Sequence, residues 1–552
     1  MISRYNSTCP HCGNPIRKDV DSIIKKLGKW GHTICPRESG QSHVSKVFEA
    51  IIAKTEESDL APEIAAEKTT FTPSRYQQGV FDFITSGTGH AVVNAVAGSG
   101  KTTTIIEALK LTSAESKVAF VAFNKHIAET LKKRSPSHVK VCTLHSLGLS
   151  NLRQLGRVRV DEYKVDNILD AILPVDRNAP SEEKGAVYAT RNNLKKLVSL
   201  VKATLCDHHD PVAVQVTADR YGLELNGDSD TVIGLLPKVI DLCARDTATV
   251  DFDDLIWIPI YLNLTLEKFD WLFVDEAQDL NKSQIELVLR SISATGRIVV
   301  VGDPSQSLYG FRGADTQAIS NIVAALHATI LPLSISYRCP LSHVRLASQI
   351  VPHLEASPTA IEGIVKDVTS EGVAELAKDG DLIICRVNAP LVPLAFSLIR
   401  KGVKATVRGR DIGKNLSDLI RKFNAESVEV LYSKLDIYEK NERQRISRKR
   451  GNEQLIVSLE DKIETLYAII GDCQTVPDVI YRLESIFSDE IEGVVLSSVH
   501  RAKGLEANRV FILRPDLLPH PKAQGDWQLE QESNCRYVAL TRSKSELYFV
   551  TQ

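Results

Sequence analysis

Gly98-Ser99-Gly100-Lys101-Thr102 carries the most definite chemistry in this sequence. Two glycines let backbone N–H groups turn inward around phosphate oxygens. A lysine then reaches the outer phosphates, and a threonine hydroxyl can ligate Mg²⁺. Ala97 and Thr103 flank this cradle, and Ala95 stands where such loops usually begin with glycine. The apolar run Ala91–Ala95 leads in and the helical pattern TTIIEALKL leads out. A helix N-terminus adds partial positive charge for an anion.

Phosphoryl chemistry also needs a metal ligand and a base. Asp275-Glu276 follows the apolar run Trp271–Val274, 174 residues (275 − 101) beyond Lys101. Adjacent acids after a strand can simply cap a helix, where negative charge is favoured. Paired with a phosphate loop, they read as Asp275 on Mg²⁺ and Glu276 orienting and deprotonating water.

These residues must be delivered by strands. Short apolar runs at Ala91–Ala95, Val118–Phe123, Trp271–Val274, Ile298–Val301, Leu382–Cys385, Val494–Ser497 and Val510–Leu513 alternate with helical patterns. That is the texture of buried parallel strands in an α/β fold. Residues 151–250 and 415–490 are charged and helix-like, and read as helical insertions. Residues 51–70 read as a helix end plus linker.

The 552 residues are 43% hydrophobic and 25% charged, which excludes a wholly disordered or fibrous chain. No run approaches the roughly 18 apolar residues of a membrane span. Met1-Ile2-Ser3-Arg4-Tyr5-Asn6 begins no apolar signal segment. A net charge of −2 excludes a uniformly basic coat but not a local basic channel. Ten cysteines are no disulfide scaffold, which points to the cytosol or nucleoid.

Taken together, the motifs resemble superfamily 1A DNA helicases of the Rep/UvrD type, including the compact F-box-helicase-like and phage-like members, over about residues 71–552. Phe71 to Gln78 resembles the Q motif, which implies adenine reading by Gln77, with Gln78 the alternative. Ala122-Phe123-Asn124-Lys125 and Thr143-Leu144-His145-Ser146 resemble single-strand-binding motifs Ia and Ib. Val301 to Ala314 is similar to motif III, which implies Gln306 at the γ-phosphate, with Phe311 and Arg312 on DNA. Tyr337-Arg338 resembles motif IV, implying an adenine-facing ring and an arginine finger. Ser498 to Glu506 resembles motif V, implying His500 on DNA and Glu506 at the nucleotide. Glu532-Ser533-Asn534 and Tyr537 to Arg542 resemble motif VI, with Arg542 the second finger.

The resemblance implies two RecA-like motor domains, 71–316 with insertion 151–250 and 317–552 with insertion 415–490. It implies ATP-driven translocation along single-stranded DNA and unwinding of single/double-strand junctions. The polarity would be 3′ to 5′, and the setting DNA repair, recombination or replication. The place of action would be the cytoplasm of a bacterium or phage host, or a eukaryotic nucleus. A DNA-stimulated ATPase that displaces or recruits proteins without processive unwinding shares the same motifs. A nuclease fusion is not expected, since the sequence ends ten residues after Arg542. Thr103 stands where many relatives have an adenine-sandwiching arginine, which shifts adenine binding towards Tyr337 and Gln77. Phe311 replaces a common tryptophan, and the second insertion is short.

Three further features lie outside that scheme. Cys9-Pro10-His11-Cys12 is followed by His32-Thr33-Ile34-Cys35, a spacing that can close a tetrahedral Zn²⁺ site on Cys9, Cys12, His32 and Cys35. His11 and His43 are rival fourth ligands. The module would span 1–45, with a linker at 46–70. The basic run Lys440 to Arg450 reads as a solvated helix face, or else as a contact to duplex phosphates or, third, a nuclear-import signal. Cys206-Asp207-His208-His209 has metal-capable groups but reads as surface.

Overall fold

A computed structural model describes residues 71–551, apart from 177, 222, 224, 226–228, 309–316, 448–452, 472, 490–491 and 524–525. Of residues 1–70 it describes only four short strands in two antiparallel pairs, Ser7–Thr8 with Pro15–Ile16 and Ile23–Lys26 with Lys29–His32. The zinc-ligand side chains therefore lie outside the described residues.

Two large parallel sheets organise the rest; only their strands are labelled here. The first contains β1 (Ala91–Ala95), β2 (Val118–Ala122), β3 (Val139–Thr143), β4 (Phe269–Val274), β5 (Ile292–Gly302) and β6 (Thr329–Leu333). Their order is β6-β1-β5-β4-β2-β3. The central strands are short runs of Val, Ala, Phe and Ile, buried on both faces because helices cover both.

The second sheet contains β7 (Ile364–Thr369), β8 (Leu382–Cys385), β9 (Ala405–Arg408), β10 (Phe487–Ser488), β11 (Val494–Ser498), β12 (Ala507–Leu513) and β13 (Ser543–Thr551). Its order is β7-β13-β12-β8-β11-β9-β10, and neighbouring strands pair in parallel.

The expected boundary at 316/317 needs correction. The helix Ala318–Leu326 packs into the core of the first sheet, and β6 pairs with β1 in register Leu333↔Ala95. The first unit therefore extends to Leu333. β6 hides from sequence reading because Thr329, Ile330 and Pro332 are exposed at the edge of the sheet.

Between β3 and β4, helices run from Leu144 to Tyr261, somewhat beyond the expected 151–250. They share a core of Leu152, Leu194, Val198, Leu236, Ile240 and Trp257. Gly148 is needed there, since a Cβ would lie 1.8 Å from the Leu255 carbonyl where two helices cross. Lys202 is wholly buried, yet it pairs with Asp251 at 2.7 Å and Asp254 at 2.8 Å. Removing one partner from such a pair costs about 3–5 kcal/mol. The second insertion is four helices, Arg410–Phe423, Val428–Ser447, Glu453–Ile470 and Val476–Ile486. It shares a core with Val407 and Leu496 of the second sheet rather than forming its own.

Candidate active site

The first sheet brings its functional residues to the carboxyl ends of its strands, where open α/β sheets bind ligands. The phosphate loop follows β1, and Gly98 and Gly100 have φ of 73° and 74°. At Gly98 a second constraint applies, because a Cβ would lie 2.6 Å from Arg338 Cβ and 2.7 Å from Ser336 Oγ. Lys101 opens the helix Lys101–Leu109 with Thr102 and Thr103 beside it, all partly buried.

Asp275 and Glu276 follow β4. Asp275 Oδ1 accepts the Glu276 N–H at 2.9 Å. Glu276 is held at φ 51°, a left-handed conformation that turns its carboxylate back to Lys101, 3.3 Å away. Gln278 donates to the other Glu276 oxygen. Burial pushes the Glu276 carboxyl up, but Lys101 and Lys503 outweigh it and hold Glu276 below the usual carboxylate range. Burial and the neighbouring Glu276 charge push Asp275 the other way. Burial opposes the Lys101 charge too, yet Glu276, Asp303 and Asp275 keep that ammonium above its ordinary pKa. The pair is thus poised as an ionised base beside a carboxyl that gains from a cation.

Gln306 is buried and donates to Asp303 Oδ2 at 2.7 Å, on the loop after β5. Gln77 spends both ends of its amide: its oxygen accepts from Ser74 N–H at 2.9 Å, and its nitrogen donates to Thr104 at 3.1 Å. It thus closes the capping box of its own helix, Arg75–Ser86, and reaches the helix that follows the phosphate loop.

Residues beyond β6 complete the site. Tyr337 donates its N–H to Gly98 O at 2.8 Å, and its ring is 48% exposed. Arg338 donates to Thr541 O at 3.2 Å and pairs with Glu506 at 2.5 Å. Arg542 is 1% exposed and donates to Val538 O, Leu505 O and Thr541 Oγ1. Burial, then Arg338, push its pKa down to about 10. Among the buried polar atoms here that lack partners are two donors, Ser99 Oγ and Arg338 Nε. Phosphate oxygens would satisfy such donors, so the lining fits a nucleotide.

Some contributors carried no assigned role in the sequence reading. Lys503, after β11, donates to Asp279 Oδ2 at 2.5 Å and to Gln306 O at 2.8 Å. Burial leads the shift that brings Asp279 up to about 6, against the pull of Lys503. Tyr537 Oη accepts from Ala97 N–H at 2.9 Å, and Asn534 donates to Ser307 O at 3.1 Å. All lie inside motifs quoted above, but only the three-dimensional pairing assigns them work.

Of the DNA candidates, Phe123 to Lys125 and Thr143 to His145 lie at the carboxyl ends of β2 and β3 of the first sheet. Phe123 follows β2 and is 44% exposed. It shares a small pocket of about 90 Å³ with His145, Asp275, Leu280 and Gln284. Asn124 and Thr143 cap helices by accepting from Ile127 N–H and Ser146 N–H. Lys125 is exposed. Phe252, 56% exposed, stands edge-on to His145 at 6.2 Å and was missed in the sequence reading because nothing in its FDDL context marks it. His500 lies beside Cys535 at 3.7 Å. Phe311 and Arg312 lie outside the described residues. In the basic run, Arg443 pairs with Glu439 and Glu460, and Arg445 with Glu442, which favours a solvated helix face. His208 corrects the surface reading, since it is 7% exposed.

Two family models match this chain. UvrD/REP helicase N-terminal domain covers residues 78–326, and UvrD-like helicase C-terminal domain covers residues 418–552. F-box DNA helicase 1 of Gallus gallus is 23% identical over 82% of this chain and 46% of its own length. F-box DNA helicase protein 1 of Schizosaccharomyces pombe is 24% identical over 82% and 55%. ATP-dependent DNA helicase Rep of Escherichia coli is 27% identical over 44% and 37%. The chain thus spans about half the length of the F-box relatives. No helix among the described residues is long and apolar enough to cross a membrane.

Proposed function

Because this chain belongs to the UvrD/Rep helicase family, we propose that it is an ATP-driven translocase on single-stranded DNA that unwinds duplexes at single/double-strand junctions, moving 3′ to 5′. The observation that carries this reading is the meeting of two halves at one phosphate loop. Lys101, Glu276 and Gln306 come from the first sheet, while Lys503 and Tyr537 reach them from the second.

In this reading, the loop N–H groups of Gly98 to Thr102 hold the phosphates, and Tyr337 faces the base. Thr102 and Asp275 would hold Mg²⁺, which neutralises charge developing on the transferred phosphoryl group. Glu276 accepts the proton of the attacking water, its carboxylate ionised because Lys101 faces it. Arg338 and Arg542 supply positive charge once freed from Glu506 and from backbone carbonyls. Phe123, His145 and Phe311 stack on bases, and base–aromatic stacking tolerates any sequence.

At the amino end, Zn²⁺ on Cys9, Cys12, His32 and Cys35 would staple a segment too short for a core of its own.

The test is strand displacement on 3′-tailed, 5′-tailed and blunt duplexes with ATP. Unwinding of the 3′-tailed substrate alone is expected. Strong DNA-stimulated ATPase without unwinding of any substrate would replace the helicase with a remodeller of DNA-bound proteins.

A further inference from the structure

Leu205, at φ 52°, ends the helix Ser181–Thr204 in a left-handed turn that feeds Cys206-Asp207-His208-His209. Asp207 Oδ1 accepts the His209 N–H at 2.9 Å, which fixes how the two histidines follow one another. Their rings sit 4.3 Å apart, tilted by 40°. Facing them is Asp241 of the helix Ser229–Arg245. One donor atom from each of His208, His209 and Asp241 lies within 4.8 Å of the others.

His208 gives this cluster its meaning. The ring is 7% exposed, and its Nε2 has no hydrogen-bond partner. The nearest carboxylate oxygen, Asp241 Oδ1, is 3.9 Å away, beyond hydrogen-bond reach. Tyr261 lies against the same ring at 5.8 Å and is itself stacked on Trp257, so aromatic rings flank the imidazole on that side. Buried polar atoms are nearly always satisfied, so an orphaned one needs a reason.

We propose that His208, His209 and Asp241 form a binding site for a divalent transition-metal ion, with Zn²⁺ the best match. Imidazole nitrogen and a carboxylate oxygen are ordinary Zn²⁺ donors, whereas Mg²⁺ and Ca²⁺ favour all-oxygen sets. Bonds of about 2.0–2.2 Å place tetrahedral ligand atoms roughly 3.3–3.6 Å apart. Closing the site therefore draws the donors inward by up to about 1.5 Å, which the exposed His209 side chain can supply by rotation. Burial and the neighbouring His209 push the His208 pKa below its ordinary value, in the direction that favours a free lone pair. Three protein donors leave a fourth position to water.

Such an ion would cross-link the 205–210 turn to the Ser229–Arg245 helix, two pieces of the first insertion that pack against each other at this corner. It would act as a brace built from residues other than the nucleotide carboxylates Asp275 and Glu276.

The experiment uses the full chain carrying Cys9→Ser and Cys12→Ser, which breaks up the amino-terminal ligand set; a Cys35 thiolate bound to Co²⁺ would show itself by charge transfer. After chelator treatment it is titrated with Co²⁺ and then Zn²⁺. One equivalent of Co²⁺ should give a visible d–d band without thiolate charge transfer. Zn²⁺ should displace it and raise the melting temperature by a few degrees. His209→Ala and Asp241→Asn should each weaken binding at least tenfold and abolish the thermal shift, with far-ultraviolet circular dichroism and basal ATPase unchanged. His209 is exposed, so its loss does not threaten folding. Failure of the Cys9→Ser/Cys12→Ser chain to bind Co²⁺, or unchanged titrations in both His209→Ala and Asp241→Asn, would overturn the site.

Discussion

The Tyr537 hydroxyl accepts the Ala97 N–H at 2.9 Å, so a helix near the end of the chain closes a hydrogen bond on the phosphate loop 440 residues earlier. The same phenol lies 3.4 Å from Asp303 Oδ2. Burial and Asp303 hold its pKa well above the ordinary value, so it stays protonated. Tyr537→Phe leaves Ala97 N–H without its partner, and an unpaired buried donor costs about 1–3 kcal/mol. The melting temperature of nucleotide-free protein should fall. A non-hydrolysable ATP analogue with Mg²⁺ should recover part of the loss by giving the loop another partner. An identical loss with and without analogue would reduce Tyr537 to a packing residue.

Glu276→Gln should retain ATP and DNA binding while turnover falls by about 10²–10⁴, the usual worth of a positioned base. Lys101→Ala should lose nucleotide affinity as well, because it removes charge from the phosphates. Single-turnover ATPase alongside nucleotide-binding titrations separates the two. Wild-type hydrolysis in Glu276→Gln would place the base elsewhere.

Protons and Mg²⁺ should compete at Asp275. Its carboxyl is pushed up by burial and by Glu276, so in metal-free protein it takes a proton at a higher pH than an exposed aspartate does. Glu276 is held down and stays ionised over the same range. The Mg²⁺ concentration giving half-maximal ATPase should therefore climb as pH falls towards the carboxylate range, and added Mg²⁺ should restore the rate. An acid loss that Mg²⁺ does not reverse would point to a different titrating group.

Phe123→Ala and Phe311→Ala should leave basal ATPase intact while DNA stimulation and unwinding fall together. Each removes a stacking surface worth about 1–3 kcal/mol per base. Single-strand affinity, measured by anisotropy at fixed salt, should drop by roughly 5- to 150-fold. Equal basal and DNA-stimulated rates in the wild type would contradict a translocase.

Protein purified without chelator should carry zinc that is lost in part when Cys9 and Cys12 are both changed to Ser, as read by metal analysis. ATPase should largely survive, since the nucleotide motifs begin beyond residue 71. Unchanged zinc content would remove Cys9 and Cys12 from any metal site.

The buried strands were legible because two-sided burial leaves no room for polar residues: β1, β2, β4, β8 and β11 each stand out as apolar runs. β3 and β7 were not, since edge strands expose Lys140, Lys366 and Asp367 to water. β13 lies inside its sheet yet begins Ser543-Lys544-Ser545-Glu546, a start that reads as loop. At the nucleotide site, local motifs gave Lys101, Asp275 and Glu276 directly. The Lys503–Asp279 and Tyr537–Ala97 bonds span 224 and 440 residues, and pairing at such range leaves no local pattern to read. His208 was misjudged for a related reason, since the helix that buries it starts some twenty residues later.

Every labelled strand of the first sheet ends by Leu333, and every one of the second begins at or after Ile364, so a single span of backbone joins them. Arg338 stands five residues past Leu333, which is anchored beside Ala95 at the mouth of the loop. Five residues reach at most about 18 Å, and Tyr337 is already pinned to Gly98. Arg338 is thus on a short leash, travelling with the loop it serves. Arg542 has no such tether, because it is carried at the far end of the second sheet's half. A rigid swing of that half would re-pose Arg542 and draw Glu506 and Thr541 away from Arg338, whose backbone would stay near the loop. In the motor proposed above, one of these two guanidinium groups is a fixture and the other a gauge, the one that would report how far the two halves have parted.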